Sequence, residues 1–203
     1  MKLLILFVLS TVLGFAPACK KTDTPAPAAG SAATGSAVTE ADHIVVLAKH
    51  RPAKPTDPVT VRFERFKVVK ASFDAANLEG GTATIELDLA SLKSGDTDRD
   101  DDLKSPAYID IGQFATATIE IANVKKKQDK TFTADATVKL RGATKTYPVT
   151  FDVIAQTADA IQIKGEHTFS RLDFAVGADP ATEPQTKVDT ELTIQMVVTL
   201  KKS

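Results

Sequence analysis

The sequence predicts an all-β domain, a single antiparallel sheet of about eight strands with a short helix in the loop 93–112. Three observations lead to this fold class. Apolar residues recur at every second position in one segment after another, which is typical of strands with one dry and one wet face. The second face of each segment stays polar, as in antiparallel sheets. Short turn-forming stretches separate the segments, so that consecutive strands become antiparallel neighbours.

The strands follow one another along most of the chain. A first candidate is His43–Ala48, and a longer strand then runs from Val59 past Phe66, interrupted where Glu64 and Arg65 fall together. Two consecutive polar residues within such a run predict a β-bulge that bends the strand. The further alternating segments are 82–89, 114–124, 131–140, 147–153, 161–163 and 192–200.

Turns and loops account for the stretches between the strands. The segment 93–112 carries a cluster of aspartates and does not alternate, so we interpret it as a loop with a short helix, and 175–187 as a second long loop. Alternation leaves two architectures open, a closed barrel and a two-sheet sandwich, since both hide the dry faces. Turns are predicted at Glu79–Gly81, Lys125–Lys130, Arg141–Lys145 and Gln156–Ala160.

The first forty residues differ in composition from the rest. A positive start, an uncharged apolar run and a small-residue site predict a signal peptide over residues 1–18. Cys19, the single cysteine, directly follows the predicted cut. We expect it to be acylated as in a bacterial lipoprotein, whereas cleavage that leaves a free thiol is the alternative. Residues 19–40 are interpreted as a lipid-anchored flexible linker, which leaves one folded domain over residues 41–203.

Charge and residue chemistry argue against several function classes. The chain has 25 basic and 26 acidic side chains, so it lacks the basic excess that holds a nucleic-acid backbone. The aspartates from 96 to 102 begin like a calcium loop but lack its glycine and final glutamate. We interpret them as a solvated loop whose acids favour a helix start, and we predict no metal or cofactor. His43, His50 and His167 lack zinc-ligand spacing and a nucleophile motif, so they are interpreted as surface residues and no enzyme activity is predicted.

Three motifs in order resemble the YceI-like family. Residues 99–110, Arg-Asp-Asp-Asp-Leu-Lys-Ser-Pro-Ala-Tyr-Ile-Asp, and the strand after them are similar to its central signature. The hairpin 138–151 is similar to its Arg-Gly-Val-Thr-Lys-Pro-Val element. Residues 169–177, Phe-Ser-Arg-Leu-Asp-Phe-Ala-Val-Gly, are similar to its Arg-Ser-Asp-Phe-Gly-Val segment. Order and spacing match over about residues 42–201.

Two positions depart from the family pattern. Asp102 stands where the family has a histidine, so no role of that histidine transfers, and Ala175 stands where it has a glycine. The resemblance implies a lipocalin-like antiparallel barrel with a long apolar pocket. Characterised members bind polyisoprenoid chains, including quinone-type lipids, in the envelope or periplasm.

The resemblance makes the dry face of the sheet a predicted lipid pocket. A barrel of about eight strands holds either side chains or one small ligand, and small residues on the dry face leave volume open. Alternation by itself favours the other reading, a core in which these side chains pack on one another. The predicted lining residues are Phe63, Phe66, Ile85, Ala117, Ile119, Phe132, Ala134, Phe151, Phe169 and Arg171.

We therefore expect a cell-envelope lipoprotein that binds an apolar lipid of isoprenoid or quinone type and catalyses nothing. It is expected to be exported, held at a membrane through acylated Cys19, and to face the periplasm or the cell surface. The alternative is a lipid-tethered structural or protein-interaction module whose barrel is filled by side chains; the oligomeric state is left open. Arg171 and Asp173 are polar residues in an apolar context. We expect them to pair and fix a corner, and contact of Arg171 with a polar head group is the alternative.

Overall fold

The structure, a computed structural model, describes residues 40–203. The predicted signal peptide, Cys19 and the linker up to residue 39 lie outside these residues. The described elements are strands β1 (His43–Ala48), β2 (Val59–Phe63), β3 (Phe66–Asp74), β4 (Asn77–Asp88), β5 (Leu92–Lys93), β6 (Thr116–Gln128), β7 (Thr131–Leu140), β8 (Ala143–Gln156), β9 (Ala160–Ser170) and β10 (Glu191–Lys201), helix α1 (Thr97–Lys104), and 3₁₀ turns at Leu89–Ser91 and Arg171–Phe174.

The ten strands form one antiparallel sheet that curls into a barrel. Its order is β3-β4-β6-β7-β8-β9-β10-β1-β2-β5. β2 and β3 follow each other directly, with a bend at Glu64 and Arg65. β3 lies at one end of the strand order and β2 lies near the other, so this bend connects the two sides of the curled sheet. Beyond β10, Ala71 N donates to Ser203 Oγ at 2.9 Å and Ser203 N donates to Ala71 O at 3.0 Å. The predicted antiparallel barrel is confirmed, and the predicted bend falls at the two consecutive polar residues.

The number of strands is ten rather than about eight. The bend divides one predicted strand into β2, which pairs with β1, and β3, which pairs with β4. A strand bent this sharply loses ladder hydrogen bonds at the bend, so its halves find different neighbours. The two-residue β5, which pairs Lys93 with Arg62 and Leu92 with Phe63, is the other strand that the sequence did not predict.

The turn between β3 and β4 lies at residues 75–76, and the prediction of a turn at Glu79–Gly81 was wrong. Both glycines belong to β4. Gly80 has a φ of 74°, and a Cβ on Gly81 would lie 2.9 Å from the carbonyl oxygen of Leu78. Gly80 provides the positive φ of an irregular strand and Gly81 allows close packing, and composition alone does not distinguish either use from a turn.

Two other hairpins can be compared with their predicted turns. The β6–β7 turn is shorter than predicted, because 125–128 continues β6 with exposed side chains and leaves only Asp129 and Lys130 as the turn. The β7–β8 hairpin is confirmed at Arg141 and Gly142. Their φ values of 49° and 75° correspond to the type I′ turn that joins antiparallel strands with two residues.

Helix α1 begins at the predicted aspartate cluster. Asp96 caps it by accepting a hydrogen bond from Arg99 N at 3.1 Å. Asp100 is not solvated as predicted: it is 3% exposed and accepts from Ser94 N and Ser94 Oγ, each at 2.7 Å. Burial raises the pKa of the Asp100 carboxyl, but the bonds from Ser94 and Lys93 outweigh burial and leave the pKa below its ordinary value. No helix among the described residues is long and apolar enough to cross a bilayer.

The two ends of the barrel differ in their connections. At the closed end, short turns join β3 to β4, β6 to β7 and β8 to β9. At the open end, the long connections 49–58, 94–115 and 175–190 meet around the strand ends, and the second of them contains α1. Buried apolar side chains fill the closed end, among them Phe73, Leu78, Phe132, Val153, Ile161 and Leu200.

Candidate functional site

A cavity of about 460 Å³ lies inside the barrel. It reaches the surface at the open end, where its lining includes the exposed residues Lys49, Lys54 and Lys187. This size and apolar character are typical of sites that enclose apolar ligands. The walls are mainly aliphatic and include Val46, Val61, Leu87, Ile121, Val138, Leu140, Val149, Ile163, Ile194 and Met196.

Strand alternation explains which side chains face the cavity. On β6, Ala117, Ile119 and Ile121 point inward because successive strand residues face opposite sides. The neighbouring β7 contributes Ala136. The two alanines fill little of the interior, so part of the open space follows directly from their small side chains.

The structure separates the predicted lining residues into two groups. Ile85, Phe132 and Ala134 are buried in the packed core, and Phe66 is half-buried against it, so none of the four is on the cavity wall. Alternation predicted the inward face of the strands but carries no information about position along the barrel axis. Whether any lining residue contacts a lipid stays a prediction. The predicted residues that do line the cavity are Phe63, Ala117, Ile119, Phe151, Phe169 and Arg171.

A cluster of aromatic and polar side chains forms one wall. The ring of Tyr147 lies 5.0 Å from that of His167 and 6.3 Å from that of Phe169. The Tyr147 hydroxyl donates to Asp173 Oδ2 at 2.8 Å. Burial raises the pKa of Tyr147, and the hydrogen bond to Asp173 raises it further. Burial lowers the pKa of His167. The wall therefore offers a neutral phenol and a neutral imidazole at pH 7.

His167 was missed by the sequence analysis, and its interpretation as a surface residue was wrong. It is half-buried and lines the cavity. The signal was present, because the period of two that runs through Ile161 and Ile163 continues on β9 to His167 and Phe169. Following that period to the end of the strand would have placed the histidine on the inward face.

Arg171 is 1% exposed and does not pair with Asp173, so the predicted pairing was wrong. Its guanidinium instead holds the connection 175–190 over the cavity. Burial lowers the pKa of the guanidinium, which nevertheless remains protonated. Its hydrogen bonds go to the carbonyl oxygens of Asp189 at 2.9 Å from Nε, Val176 at 2.6 Å from Nη1, and Ala178 at 2.7 Å and Val188 at 3.2 Å from Nη2.

Charged lining residues gather where the cavity opens. The rim cations, defined as Lys49, Lys54, Arg99 and Lys187, come from three connections that are far apart in the chain. Asp102 also lines the cavity here, and Asp96 Oδ2 lies 3.6 Å from Arg99 Nη2. The sequence did not indicate this group, because no local pattern relates residues of separate loops.

The connection 49–58 is held in shape by Asp57. Its carboxylate accepts from Lys54 N at 2.8 Å and from His50 N at 3.0 Å, and His50 Nδ1 lies 2.6 Å from Asp57 Oδ1. The backbone hydrogen bond from Lys54 makes the largest contribution to lowering the pKa of Asp57 to about 2. His50 is thus half-buried in the scaffold of the rim rather than a free surface residue.

The arrangement suits binding of a molecule with a long apolar part. The interior can enclose an apolar chain, and polar groups become available only towards the opening. Within residues 40–203, no group of three or more His, Cys, Asp or Glu side chains could hold a metal ion.

The chain is similar to one family of known proteins. The model of the YceI-like domain matches residues 34–200. A UPF0312 protein of Ectopseudomonas mendocina is 29% identical over 121 residues, which are 56% of this chain and 63% of that protein. A UPF0312 protein of Azotobacter vinelandii is 31% identical over 88 residues, or 43% of this chain and 46% of that protein. The chain thus matches less than two thirds of the length of either relative.

Solved structures share the fold at low sequence identity. BcnA of Burkholderia cenocepacia superposes with a TM-score of 0.69 at 20% identity, over 79% of this chain and 96% of its own. A polyisoprenoid binding domain from Saccharophagus degradans, implicated in plant cell wall breakdown, gives 0.62 at 14% identity, over 80% and 94%. The YCEI protein of Campylobacter jejuni gives 0.62 at 15% identity, over 71% and 85%.

Proposed function

This chain belongs to the YceI-like family, and from that premise we propose that its barrel binds an apolar lipid of isoprenoid or quinone type. The observation that carries the proposal is the cavity of about 460 Å³ with its aliphatic and aromatic walls. Further support comes from the similarly folded S. degradans domain, which is named a polyisoprenoid binding domain. The tail of the lipid occupies the interior of the barrel.

Burial of the tail supplies the affinity. Each methylene removed from water contributes roughly 0.8 kcal/mol, and this gain is set against the loss of translational and rotational freedom on binding. A cavity that already exists in the protein reduces the reorganisation that binding requires. The long connections of the open end lie where a lipid enters.

The proposed role is binding without catalysis. Two polar side chains of the wall make hydrogen bonds within the protein. The Tyr147 hydroxyl donates to Asp173, and the Arg171 guanidinium donates to four carbonyl oxygens of the connection 175–190. These bonds fix the shape of the wall.

We further propose that the protein is an exported lipoprotein, anchored through acylated Cys19 and facing the periplasm or the cell surface. The support is the signal-like composition of residues 1–18 and the single cysteine. Glu40, where the described chain begins, lies at the closed end, since Gln162 Nε2 donates to its carbonyl oxygen at 2.7 Å. The described chain therefore begins at the closed end, away from the cavity opening.

Exchange of the cysteine tests the anchor. We expect Cys19→Ser to move the protein from the membrane to the soluble envelope fraction, because acyl chains cannot attach to serine at this site. The measurement is fractionation followed by immunoblotting. A variant that stays in the membrane fraction would show that acylation is not the anchor.

Mass spectrometry of the organic extract tests the lipid. The full chain with Cys19→Ser, purified from an exporting bacterium, is expected to release a stoichiometric isoprenoid or quinone. An extract that is empty, even after incubation with envelope lipids, would favour the second function, a protein-interaction module.

A cavity-filling variant connects the lipid to this site. Ala117→Trp places a large side chain on the cavity wall, and we expect it to weaken lipid uptake about tenfold or more, which is about 1.4 kcal/mol. Lys126→Trp is the matched control, because Lys126 is an exposed residue of the same strand. Circular dichroism establishes that both variants fold. Normal uptake by a folded Ala117→Trp variant would contradict the assignment of the cavity.

A further inference from the structure

We propose that the tip of the β6–β7 hairpin is a docking surface for a bilayer that contains anionic phospholipid. The surface, here called the basic tip, consists of Lys125, Lys127 and Lys130 at the closed end of the barrel. The inference rests on the proposed anchor at Cys19 and adds to it the side of the domain that meets the membrane.

The first argument is that the hairpin extends beyond the packed barrel. The ladder between β4 and β6 ends where Ala83 pairs with Ile121, whereas β6 continues to Gln128. Val124 is the last buried side chain of β6, and every residue from 125 to 130 is exposed. The lysines of the tip therefore take no part in the core and face the surroundings of the protein.

The second argument is that the backbone sets the direction of the tip. The register of β6 against β7 shifts between Ala122 and Lys125, and Asn123 within this shift has a φ of 54°. The Asn123 side chain donates to Asp135 Oδ2 on β7 at 2.8 Å. A β-bulge redirects the strand that contains it, so the residues just before the lysines determine where the tip points.

The third argument is that the basic tip has no carboxylate partner. Among residues 40–203, no carboxylate oxygen lies within 4.0 Å of the ammonium nitrogens of its three lysines. The acid of the same turn is Asp129. Lys126 is not counted in the tip, because it pairs with Phe132 on the inward face and its backbone N donates to Glu79 Oε1 at 3.2 Å. The three ammonium groups repel one another, and an anionic surface offsets this repulsion.

The residue chemistry of the tip fits a charged bilayer better than a protein partner. Residues 125–130 are Lys-Lys-Lys-Gln-Asp-Lys, without an apolar or aromatic side chain. Protein interfaces are built around buried apolar and aromatic side chains and are depleted in lysine. A bilayer with anionic head groups attracts basic residues through its surface potential and does not require a fitted contact.

The place where the described chain begins gives a further argument. Gln162 Nε2 donates to Glu40 O at 2.7 Å, and Lys164 Nζ lies 3.0 Å from Glu40 Oε1. These bonds place Glu40 at the closed end, the same end as the basic tip. Cys19 precedes Glu40 by 21 residues in the sequence. An anchor at Cys19 raises the effective concentration of the domain at the bilayer, so a weak attraction by three lysines suffices to select the side that meets it.

The open end provides an internal comparison. Lys49, Lys54 and Lys187 are also exposed and also lack a carboxylate oxygen within 4.0 Å among residues 40–203. They belong to the long connections at the other end of the barrel. Neutralising either set of three lysines changes the total charge by the same amount, but only loss of the basic tip is expected to weaken contact with a membrane.

Vesicle binding tests the docking surface without the acyl anchor. The full chain with Cys19→Ser is mixed with vesicles of phosphatidylcholine alone, or of phosphatidylcholine and phosphatidylglycerol in equal parts, and bound protein is measured by flotation. We expect about tenfold tighter binding to the anionic vesicles at low salt, because each lysine near an anionic surface adds to the affinity. This preference should fall as the salt concentration rises, since salt screens exposed charges.

The tip variant, Lys125→Gln/Lys127→Gln/Lys130→Gln, locates the contact. Its preference for anionic vesicles should disappear, while its binding to neutral vesicles should equal that of the parent chain. Asp129→Asn removes the acid of the turn and should act in the opposite direction, strengthening binding to anionic vesicles about twofold. Circular dichroism establishes that both variants fold.

The rim variant, Lys49→Gln/Lys54→Gln/Lys187→Gln, is the matched control and should keep the preference of the parent chain. Equal binding of the parent chain to both kinds of vesicle would overturn the docking surface, and so would a folded tip variant that keeps the preference. Loss of the preference in the rim variant instead would place the contact at the open end and overturn the assignment.

The anchor at Cys19 is tested separately. The vesicle assay uses a chain that cannot be acylated at this position, so its outcome does not depend on the anchor. Fractionation of Cys19→Ser in high salt tests the anchor alone, because high salt screens the attraction of the basic tip. Failure of the docking surface therefore leaves the proposed anchor standing, and failure of the anchor does not mimic failure of the tip.

Discussion

The closed and open ends of this barrel are built by different means. At the closed end, short turns link the strands and apolar side chains fill the space between them, as where Phe132 stacks on Phe151 with ring centroids 5.8 Å apart. At the open end, polar side chains hold long connections: Arg171 binds four carbonyl oxygens, and Asp57 and Asp100 accept from loop N–H groups.

The difference shows how one sheet can provide both stability and a binding space. Strands joined by short turns satisfy most of their backbone groups in the ladder, so the closed end can be packed with apolar side chains alone. A long connection has backbone groups that no strand pairs, and buried polar side chains satisfy them. The cavity is left at the end that loops cover, because loops do not fill the interior as core side chains do.

Truncation of matched phenylalanines is expected to give the largest contrast between the ends. Phe132→Ala at the closed end should lower the free energy of unfolding by about 3–5 kcal/mol, since it leaves a cavity in packed core. Phe169→Ala on the cavity wall should cost about 1–2 kcal/mol, because its cavity side has fewer packing partners to lose. Urea unfolding measures both values. Equal losses would mean that the two ends are packed alike.

Removal of the guanidinium should weaken the open end next most strongly. We expect Arg171→Leu to cost about 2–4 kcal/mol, because several buried carbonyl oxygens lose their donor. Arg171→Lys keeps the charge without the planar fork and should recover only part of the loss. Chemical unfolding gives the stability, and hydrogen exchange should rise selectively in the connection 175–190. A loss below about 1 kcal/mol for Arg171→Leu would contradict this role.

Two glycines with positive φ permit a smaller comparison. Gly177 at the open end has a φ of 68°, and a Cβ there would lie 2.9 Å from Tyr108 Cε1 and 3.2 Å from Arg171 Nη1. Gly80 near the closed end has a φ of 74° and nothing within 4 Å of such a Cβ. Gly80→Ala should cost about 1 kcal/mol from backbone strain and Gly177→Ala about 2–3 kcal/mol. Similar thermal stabilities of the two variants would show that the contact of a Gly177 Cβ with Tyr108 and Arg171 does not destabilise the fold.

The smallest expected effect is a pH dependence at the rim. Hydrogen bonds lower the pKa of Asp57 from 3.8 to about 2. Because the folded-state pKa is the lower one, the carboxylate stabilises the fold above pH 3.8, and this stabilisation is lost as the pH falls towards 2. The difference in unfolding free energy between the parent chain and Asp57→Asn should therefore be present at pH 6 and shrink towards pH 2.

Asp159→Asn, at an exposed position in the β8–β9 turn of the closed end, is the control for the pH series. Its difference from the parent chain should stay nearly constant over the same range. Urea unfolding at each pH measures both variants. A constant difference for Asp57→Asn would show that the carboxylate does not stabilise the connection.

Much of the fold could be predicted because strand alternation is local. The bend at Glu64 and Arg65 and the turn at Gly142 were visible as short patterns, and the resemblance to one family turned alternating strands into a barrel. Glu79–Gly81 was misassigned because glycine serves a turn and an irregular strand equally well. Asp100 was misassigned because burial of a carboxylate depends on partners such as Lys93 that a composition argument does not weigh.

The candidate site was predicted less completely for a related reason. Period two identifies the inward face, on which Ala117 and Phe151 lie along the cavity; whether they contact a lipid stays a prediction. It carries no information on depth, so Phe132 and Ala134 were predicted to line a space that ends before it reaches them. His167 obeyed the same period and could have been found by extending it along β9.

The sequence by itself determined the antiparallel strands, their inward faces and the start of the helix, since each depends on residues that are close in the chain. Only the tertiary structure decided where the cavity begins and ends, which carbonyl oxygens Arg171 satisfies, and that Lys49, Arg99 and Lys187 share one rim. The physical reason is sheet closure. Curling the sheet brings together connections separated by tens of residues, and their contacts depend on that geometry rather than on any local pattern.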